Sequence, residues 1–402
     1  MNPLAHSIRL PCAAPARVLA CGAFLKNRAC LIDGDQAHWS ALHGDLGEAE
    51  NRHALAQSVE LLLLQASGAL HAVAHDLHPD FYSTQLALEL AQRLGVPAIA
   101  VQHHHAHIGV VLAEQGMAEP VIGLALDGFG LGSDGMAWGG ELLWLGGAAQ
   151  AQKWQRLNHL APLAQPGGEA AAREPWRLAA AVLFALGRGD EIEPRFSPLV
   201  GAAPARLLHM LLQRNVNCPR SSSAGRWFDA AAGALGLSVR QSFEAEAAIA
   251  LERLASEWLV EHPNFEFNWD SLDLHPVVAD LFALQAQSGD ALGQGAAQFH
   301  LALASALAQA VIKAAAEHGT MQVVLAGGCF YNRVLNQRLR AALLHAGLTV
   351  LAPQTSGCGD EGLALGQAWI AACTQAPHSV ATLNFNLIGE PDHVPGLACP
   401  CC

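Results

Sequence analysis

The chain opens a β-hairpin twice. Residues 17–23, RVLACGA, read as a strand whose partner returns at 28–32 across Lys26-Asn27, with Asp33-Gly34-Asp35 as the next turn. At Val121 the pattern restarts with VIGLALDG (121–128), a Gly/Asp-rich turn through Gly135 and a second strand within MAWGGELLWL (136–145). Strands and helices then alternate after each opening. The first is followed by a helix over 51–67, a buried strand over 72–76, a helix over 83–94, a strand over 96–101 and a helix reaching about Gln115. The second resumes late, with a helix over 291–318, a strand over 322–326, a Gly327-Gly328-Cys329 turn, a helix over 332–346, a strand over 349–352 and a helix over 361–373. Such a plan, met twice in 402 residues, restricts the chain to a layered α/β protein of two lobes. The expected division is a Pro-rich leader at 1–16, a first lobe at 17–118 and a second at 119–360. A largely helical insertion occupies about 160–290, the helix at 361–373 packs back on the first lobe, and 374–402 is a tail.

Two hairpin-opened lobes resemble the actin-like, sugar-kinase and Hsp70-type (ASKHA, RNase H-like repeat) plan, in which paired glycine-rich turns clamp a nucleotide's phosphates. The physical basis is that glycine lets backbone N–H groups approach an anion without a Cβ in the way. Gly-rich turns on their own are equally compatible with plain tight turns.

Composition narrows the partners. The chain is 52% hydrophobic and 14% charged with a net charge of −13, and it has no Lys/Arg-rich stripe, so nucleic acid is excluded as an expected partner. Its apolar runs, such as 61–64 and 301–312, look interrupted well short of the ~20 residues of a membrane span. No signal-peptide core is present at the start, and the expected location is the cytoplasm. The ten cysteines are scattered apart from the tail cluster Cys399-Pro400-Cys401-Cys402 and lack the paired C-x-x-C elements of a zinc ribbon, which points to reduced thiols.

The densest chemistry is VQHHHAH (101–107), four histidines just after a buried strand. His103 and His107 lie four apart and share one face of a helix, close enough to hold the same cation. The H-x-x-x-H spacing lacks the glutamate of H-E-x-x-H, so a metallopeptidase loses its base. His104 and His105 are candidates to face substrate or an anion, or to sit solvated. Asp127, ending an apolar strand, is the best carboxylate to complete a metal shell, while Asp134 suits capping of the turn. Asp360 precedes a helix, and the residues alone favour an N-cap slightly over a ligand. LAGGCFYNR (325–333) offers backbone amides to a phosphate at a helix start; SSSAGRWFDA (221–230) gathers hydroxyls, an arginine and an aspartate; REPWR (173–177) is a charged cluster around Trp176.

With these motifs in view, the chain resembles the C-terminal, TsaD-like domain of the HypF family, the carbamoyltransferases of [NiFe]-hydrogenase maturation. The resemblance rests on ACGAFLKN (20–27), HPDFYST (78–84), VQHHHAH (101–107), LDGFGLGSDG with WGGE (126–141), REPWR, SSSAGRWFDA, LAGGCFYNR and GDEGLALGQ (359–367), collinear over about 17–371. It implies that carbamoyl, activated as carbamoyl-adenylate, passes to the C-terminal cysteine of the partner HypE. It also implies a divalent metal, iron or zinc first and magnesium or manganese as alternatives, held by His103, His107, Asp127 and Asp360. His104 and His105 then face the substrate, and the ATP-derived AMP moiety is held by Lys26, Gly128, Ser222, Gly225, Arg226, Asp229, Gly327, Gly328 and Asn332.

The sequence departs from the family pattern in three places. No upstream adenylate-forming domains precede residue 17, so carbamoyl-adenylate is expected to be supplied from elsewhere. Gly359 stands where Asn is common, and Glu361 where Gly is common. The tail ACPCC (398–402) raises self-acceptance of carbamoyl as a minor idea against an adventitiously reactive end. Rival functions are a TsaD-like tRNA threonylcarbamoyl transferase, a small-molecule O-carbamoyltransferase and a non-catalytic module that docks HypE.

Overall fold

The computed structural model describes residues 4–284 and 289–375; the cysteine-rich tail lies outside the described residues. The first sheet contains β1 (Leu4–Arg9), β2 (Val18–Ala20), β3 (Cys30–Asp33), β4 (Gln36–Ser40), β5 (Ala72–Asp76) and β6 (Ala98–Val101), in the order β1-β4-β3-β2-β5-β6. β2, β3 and β4 form an antiparallel meander, and β5 and β6 run parallel to β2 on its other side. The second sheet repeats this plan. Its meander is β7 (Val121–Leu131), β8 (Ala137–Leu145) and β9 (Trp154–His159), followed across β7 by the parallel strands β12 (Gln322–Ala326) and β13 (Thr349–Leu351). Two short strands, β10 (Leu163–Ala164) and β11 (Arg220–Ser221), extend it beside β8. The two-lobed ASKHA plan is therefore carried by two sheets of the same strand order.

Parallel strands need long crossovers, and the connections here carry helices. In the first lobe these are α1 (Ala49–Gln65) and α2 (Tyr82–Leu94), with α3 (His103–Gln115) leaving β6 for the second lobe. In the second lobe the crossover between β11 and β12 contains Ala224–Ala234, Glu246–Glu261, His275–Leu284 and Gly289–His318. Helices Pro175–Ala185, Ile192–Val200 and Ala202–Arg214 fill the connection from β10 to β11.

Two expectations need correction. The supposed leader is partly a strand: β1 pairs antiparallel with β4, because its backbone completes the exposed edge of the first sheet before Pro11 ends the pairing. Among the described residues, one helix, Asp290–His318, is long and apolar enough by length and composition to cross a membrane. Its apolar character was masked by Gln298, His300, Ser305 and Gln309. In the fold, 67% of its most apolar window is buried, and Phe299, Leu303 and Val311 lie in the core of the second lobe. It is a core helix.

The last helix, Leu363–Gln375, returns to the first lobe and packs on α3. Contact is backbone to backbone: a Cβ on Gly366 would lie 1.9 Å from the carbonyl oxygen of Ala106. Gln367 Oε1 accepts from the Gly22 amide, tying the same helix to the first hairpin loop.

Candidate metal and nucleotide site

A single residue, Gln102, separates the end of β6 from the start of α3, so the first turn of α3 stands at the C-terminal edge of the first sheet, where α/β proteins collect ligands. Gln102 caps it. Its Oε1 accepts from the His105 amide, and its Nε2 donates to the Leu131 carbonyl and faces His104 Nδ1 at 3.0 Å. From that start, His103 and His107 project from one face with ring centroids 5.0 Å apart.

Asp127 arrives from the second lobe. The pairing of β7 with β8 slips between Leu126 and Gly130, so Asp127, Gly128 and Phe129 bulge out of the ladder and the carboxylate turns towards α3. Asp360 arrives from the segment after β13. It makes no cap for the following helix; its Oδ1 stands 3.3 Å from His103 Nε2 and 3.4 Å from His107 Nε2. Asp127 Oδ2 is 3.2 Å from His103 Nε2 and 3.6 Å from His107 Nε2. One ligand atom from each of these four residues lies within 4.8 Å of the others.

These separations suit a shared cation. Two donors each ~2.1 Å from one ion at the tetrahedral angle stand about 3.4 Å apart. His107 Nε2 is also buried with no hydrogen-bond partner among the described residues, which is costly unless something else occupies its lone pair. The donor set of two imidazoles and two carboxylates fits a divalent transition ion.

The charges are mutually adapted. Burial disfavours the imidazolium of His103, but the Asp360 and Asp76 carboxylates and the bonds to Asp127 outweigh it and hold its pKa well above the ordinary value. His107 is raised as well, the nearby Asp127 and Asp360 carboxylates overcoming burial. Burial would lift both carboxyls, yet the two imidazoles hold Asp127 well below the usual range and bring Asp360 to about 2.

Around this cluster lie the glycines expected to receive phosphate. Gly327 has φ +103°, and a Cβ there would meet the Leu126 carbonyl oxygen at 2.3 Å; a Cβ on Gly328 would face Asp127 Oδ1 at 3.1 Å. Gly225 abuts Gly128, its would-be Cβ 3.1 Å from the Gly128 Cα. Ser223 joins the two turns by donating to the carbonyls of Asp127 and Gly128 while capping the helix that carries Arg226. Arg226 pairs with the buried Asp229 at 2.9 Å and keeps its Nε buried without a hydrogen-bond partner among the described residues. Burial pushes the Asp229 carboxyl up to about 6 against the opposing pull of Arg226 and Gln241. Lys26 stands 3.4 Å from Glu244, joining the first hairpin loop to the helical insertion.

Four sequence-predicted site residues are otherwise engaged. His105 turns into the core, where its Nε2–H donates to the Ala151 carbonyl at 2.6 Å and its ring stacks on Trp154, so it cannot meet substrate. His104 is fully buried under β7, with Gly130 so close that a Cβ there would fall 2.6 Å from its Cε1. Burial and the neighbouring His103 keep its imidazole neutral, far below the usual pKa. Ser222 donates to Glu141 and faces Arg156 instead of a ligand. Asn332 caps the helix Arg333–His345 through Oδ1 and reaches His300 through Nδ2.

Sequence reasoning missed Asp76, Glu141 and Gln102. Asp76 ends β5 and holds His103 Nδ1 at 2.7 Å. Glu141 is fully buried and accepts from the amides of Gly139 and Gly140, from Arg156 and from Ser222, locking the second hairpin to the 221–223 segment. An acidic residue closing a buried strand was the available signal for Asp76, and an acidic residue inside one for Glu141.

Two lobes of matching topology with a histidine–aspartate cluster between them define the class: a two-lobed, actin-like domain with a candidate metal site in its cleft. The HypF Kae1-like domain family matches residues 13–114, and the family described as carbamoyltransferase, Kae1-like domain, second subdomain, matches residues 123–367. The chain belongs to the HypF carbamoyltransferase family. It is 57% identical over 366 residues to the carbamoyltransferase HypF homolog of Cupriavidus necator, covering 89% of this chain and 92% of that protein. Carbamoyltransferase HypF2 of the same organism is 46% identical over 397 residues, but this chain spans only 48% of its length. A crystal structure of full-length HypF in the phosphate- and nucleotide-bound form superposes with a TM-score of 0.80 at 30% identity, covering 92% of this chain and 48% of that one.

Proposed function

We propose that this chain carries out carbamoyl transfer in [NiFe]-hydrogenase maturation, moving carbamoyl from carbamoyl-adenylate to the C-terminal cysteine thiolate of HypE on the way to the cyanide ligand of the active-site iron. The observation that carries this reading is the convergence of His103, His107, Asp127 and Asp360 beside the glycine turns at Gly128, Gly225 and Gly327-Gly328. A divalent ion on those four residues, iron or zinc first for this mixed nitrogen and oxygen set, supplies Lewis-acid polarisation of the oxygens at the reacting centre.

The chain's own residues do the rest. The glycine turns leave room for the AMP phosphate against backbone amides, and Arg226 and Lys26 supply positive charge to the adenylate. The acceptor sulfur bonds to the carbamoyl carbon as the carbon–phosphate oxygen bond breaks, and AMP leaves with the electron pair. Holding donor and thiolate in one cleft makes the step effectively unimolecular. A nucleotide-bound relative with the same fold supports the adenylate part of the reading.

The test mixes the chain with carbamoyl-adenylate and HypE and weighs HypE by mass spectrometry. The expected result is one added carbamoyl group with the wild type and none with H107A, which also loses metal. An unchanged HypE mass with the metal-loaded wild type overturns the proposal.

A further inference from the structure

Asp76 presents a problem that its position resolves. Its side chain is completely inaccessible to solvent at the C-terminal end of β5, and an uncompensated carboxylate there would be strongly destabilising. Its two oxygens are separately engaged: Oδ1 accepts from the His78 amide at 3.0 Å, and Oδ2 lies 2.7 Å from His103 Nδ1. The backbone carbonyl of the same residue accepts from His75 Nδ1 at 2.7 Å, so the end of β5 is fixed on both sides. The other nitrogen of the His103 ring, Nε2, is the one that faces Asp127 and Asp360.

We infer that Asp76 is a positioning residue for the metal site: it holds the proton of His103 on Nδ1 and aims the Nε2 lone pair at the ion. This rests on the metal reading given under Proposed function and adds the residue that orients one of its ligands. The chemistry requires an acceptor at Nδ1 that cannot also donate, and an ionised carboxylate is such a group. An asparagine of the same shape has only one acceptor oxygen. If that oxygen keeps the His78 amide, the asparagine NH2 faces Nδ1 and pushes the ring proton onto Nε2, where the ion must bind.

The experiment compares the wild-type chain, D76N and H103Q by zinc competition against a chelator and by proton–nitrogen correlation NMR of the histidine rings in the zinc-loaded protein. D76N is expected to bind zinc about 10–100-fold more weakly with little change in fold. The signal lost in H103Q is expected to show, in the wild type, a protonated Nδ1 and zinc on Nε2. A merely structural Asp76 would lower the melting temperature and leave zinc affinity unmoved, and that result overturns the inference. Zinc on His103 Nδ1 in the wild type overturns it as well, whether or not D76N folds. A wild type that binds no zinc removes the metal reading itself, an outcome separate from either of these.

Discussion

Loading the cluster with metal should expel protons, and the number is set by the charges around it. Both imidazoles are pushed above the ordinary histidine pKa of 6.5, while Asp127 and Asp360 are held below the carboxylate range. The metal-free site therefore stores its protons on His103 and His107 and none on the carboxylates. An ordinary imidazole is about a quarter protonated at pH 7, so two unperturbed ones would release roughly half a proton on binding an ion. The raised pair must release more than that, up to about two. Because the folded-state pKa values are raised, the imidazolium–carboxylate pairing stabilises the metal-free fold fully below pH 6.5 and fades as pH climbs through them. Metal affinity runs the other way: it strengthens with pH, by about 1.4 kcal/mol per pH unit for each proton displaced. Calorimetric titration with zinc at pH 7, in buffers of different ionisation enthalpy, counts the protons directly. A release of roughly half a proton or less, or an affinity that stays flat between pH 6 and 7, would refute the electrostatic account.

Two substitutions separate scaffold from chemistry. Replacing His105 by Phe removes the donor to the buried Ala151 carbonyl, which should cost about 1–3 kcal/mol of stability; melting temperature should fall while metal content and carbamoyl transfer persist, and loss of transfer in a folded, metal-loaded H105F would return His105 to the mechanism. Gly366→Ala forces a methyl group into the Ala106 carbonyl, where only 1.9 Å is available, and should destabilise by about 1–3 kcal/mol despite alanine's better helix propensity; because α3 must shift to admit it, zinc affinity measured by competition should weaken too, and an unchanged affinity would mean α3 does not move.

Much of this was legible in the sequence because it follows from local periodicity. The four-residue spacing of His103 and His107 placed them on one helical face, and the restarted hairpin at Val121 announced a second lobe with the same opening. The same helical phase held the answer for His105, two positions and ~200° beyond His103, hence on the opposite side. What periodicity does not carry is where a distant backbone lies. The Ala151 carbonyl that takes His105 and the β7 backbone that seals His104 come from other segments. Asp127 was visible as a strand-end carboxylate, but the bulge that turns it towards α3 was not, since DGFG reads equally well as a tight turn. Asp360 read locally as an N-cap, and only the family resemblance made it a ligand. Asp76 required the register of two parallel strands: it lies level with Val101, two residues before His103, a relation no single segment displays.

The origin of each proposed ligand, and of the Asp76 that orients one of them, gives a reason for this candidate site to need a two-lobed fold. His103, His107 and Asp76 belong to the first sheet and its departing helix. Asp360 opens a segment running into Leu363–Gln375, which Gly366 and Gln367 fasten to that same lobe. Asp127 is the ligand built into a strand of the second sheet, and it shares its bulge with Gly128 and faces Gly328 across the cradle proposed for the adenylate. In that proposed arrangement, an ion that draws Asp127 towards the histidines would also pull on the turn proposed to receive phosphate, and a phosphate on that turn would act on Asp127 in return. Coupling between two ligands of one protein is reciprocal by thermodynamic necessity. If ion and nucleotide bind as proposed, both would act through a single three-residue bulge, which would give a physical reason to interrupt an otherwise regular eleven-residue strand at this point.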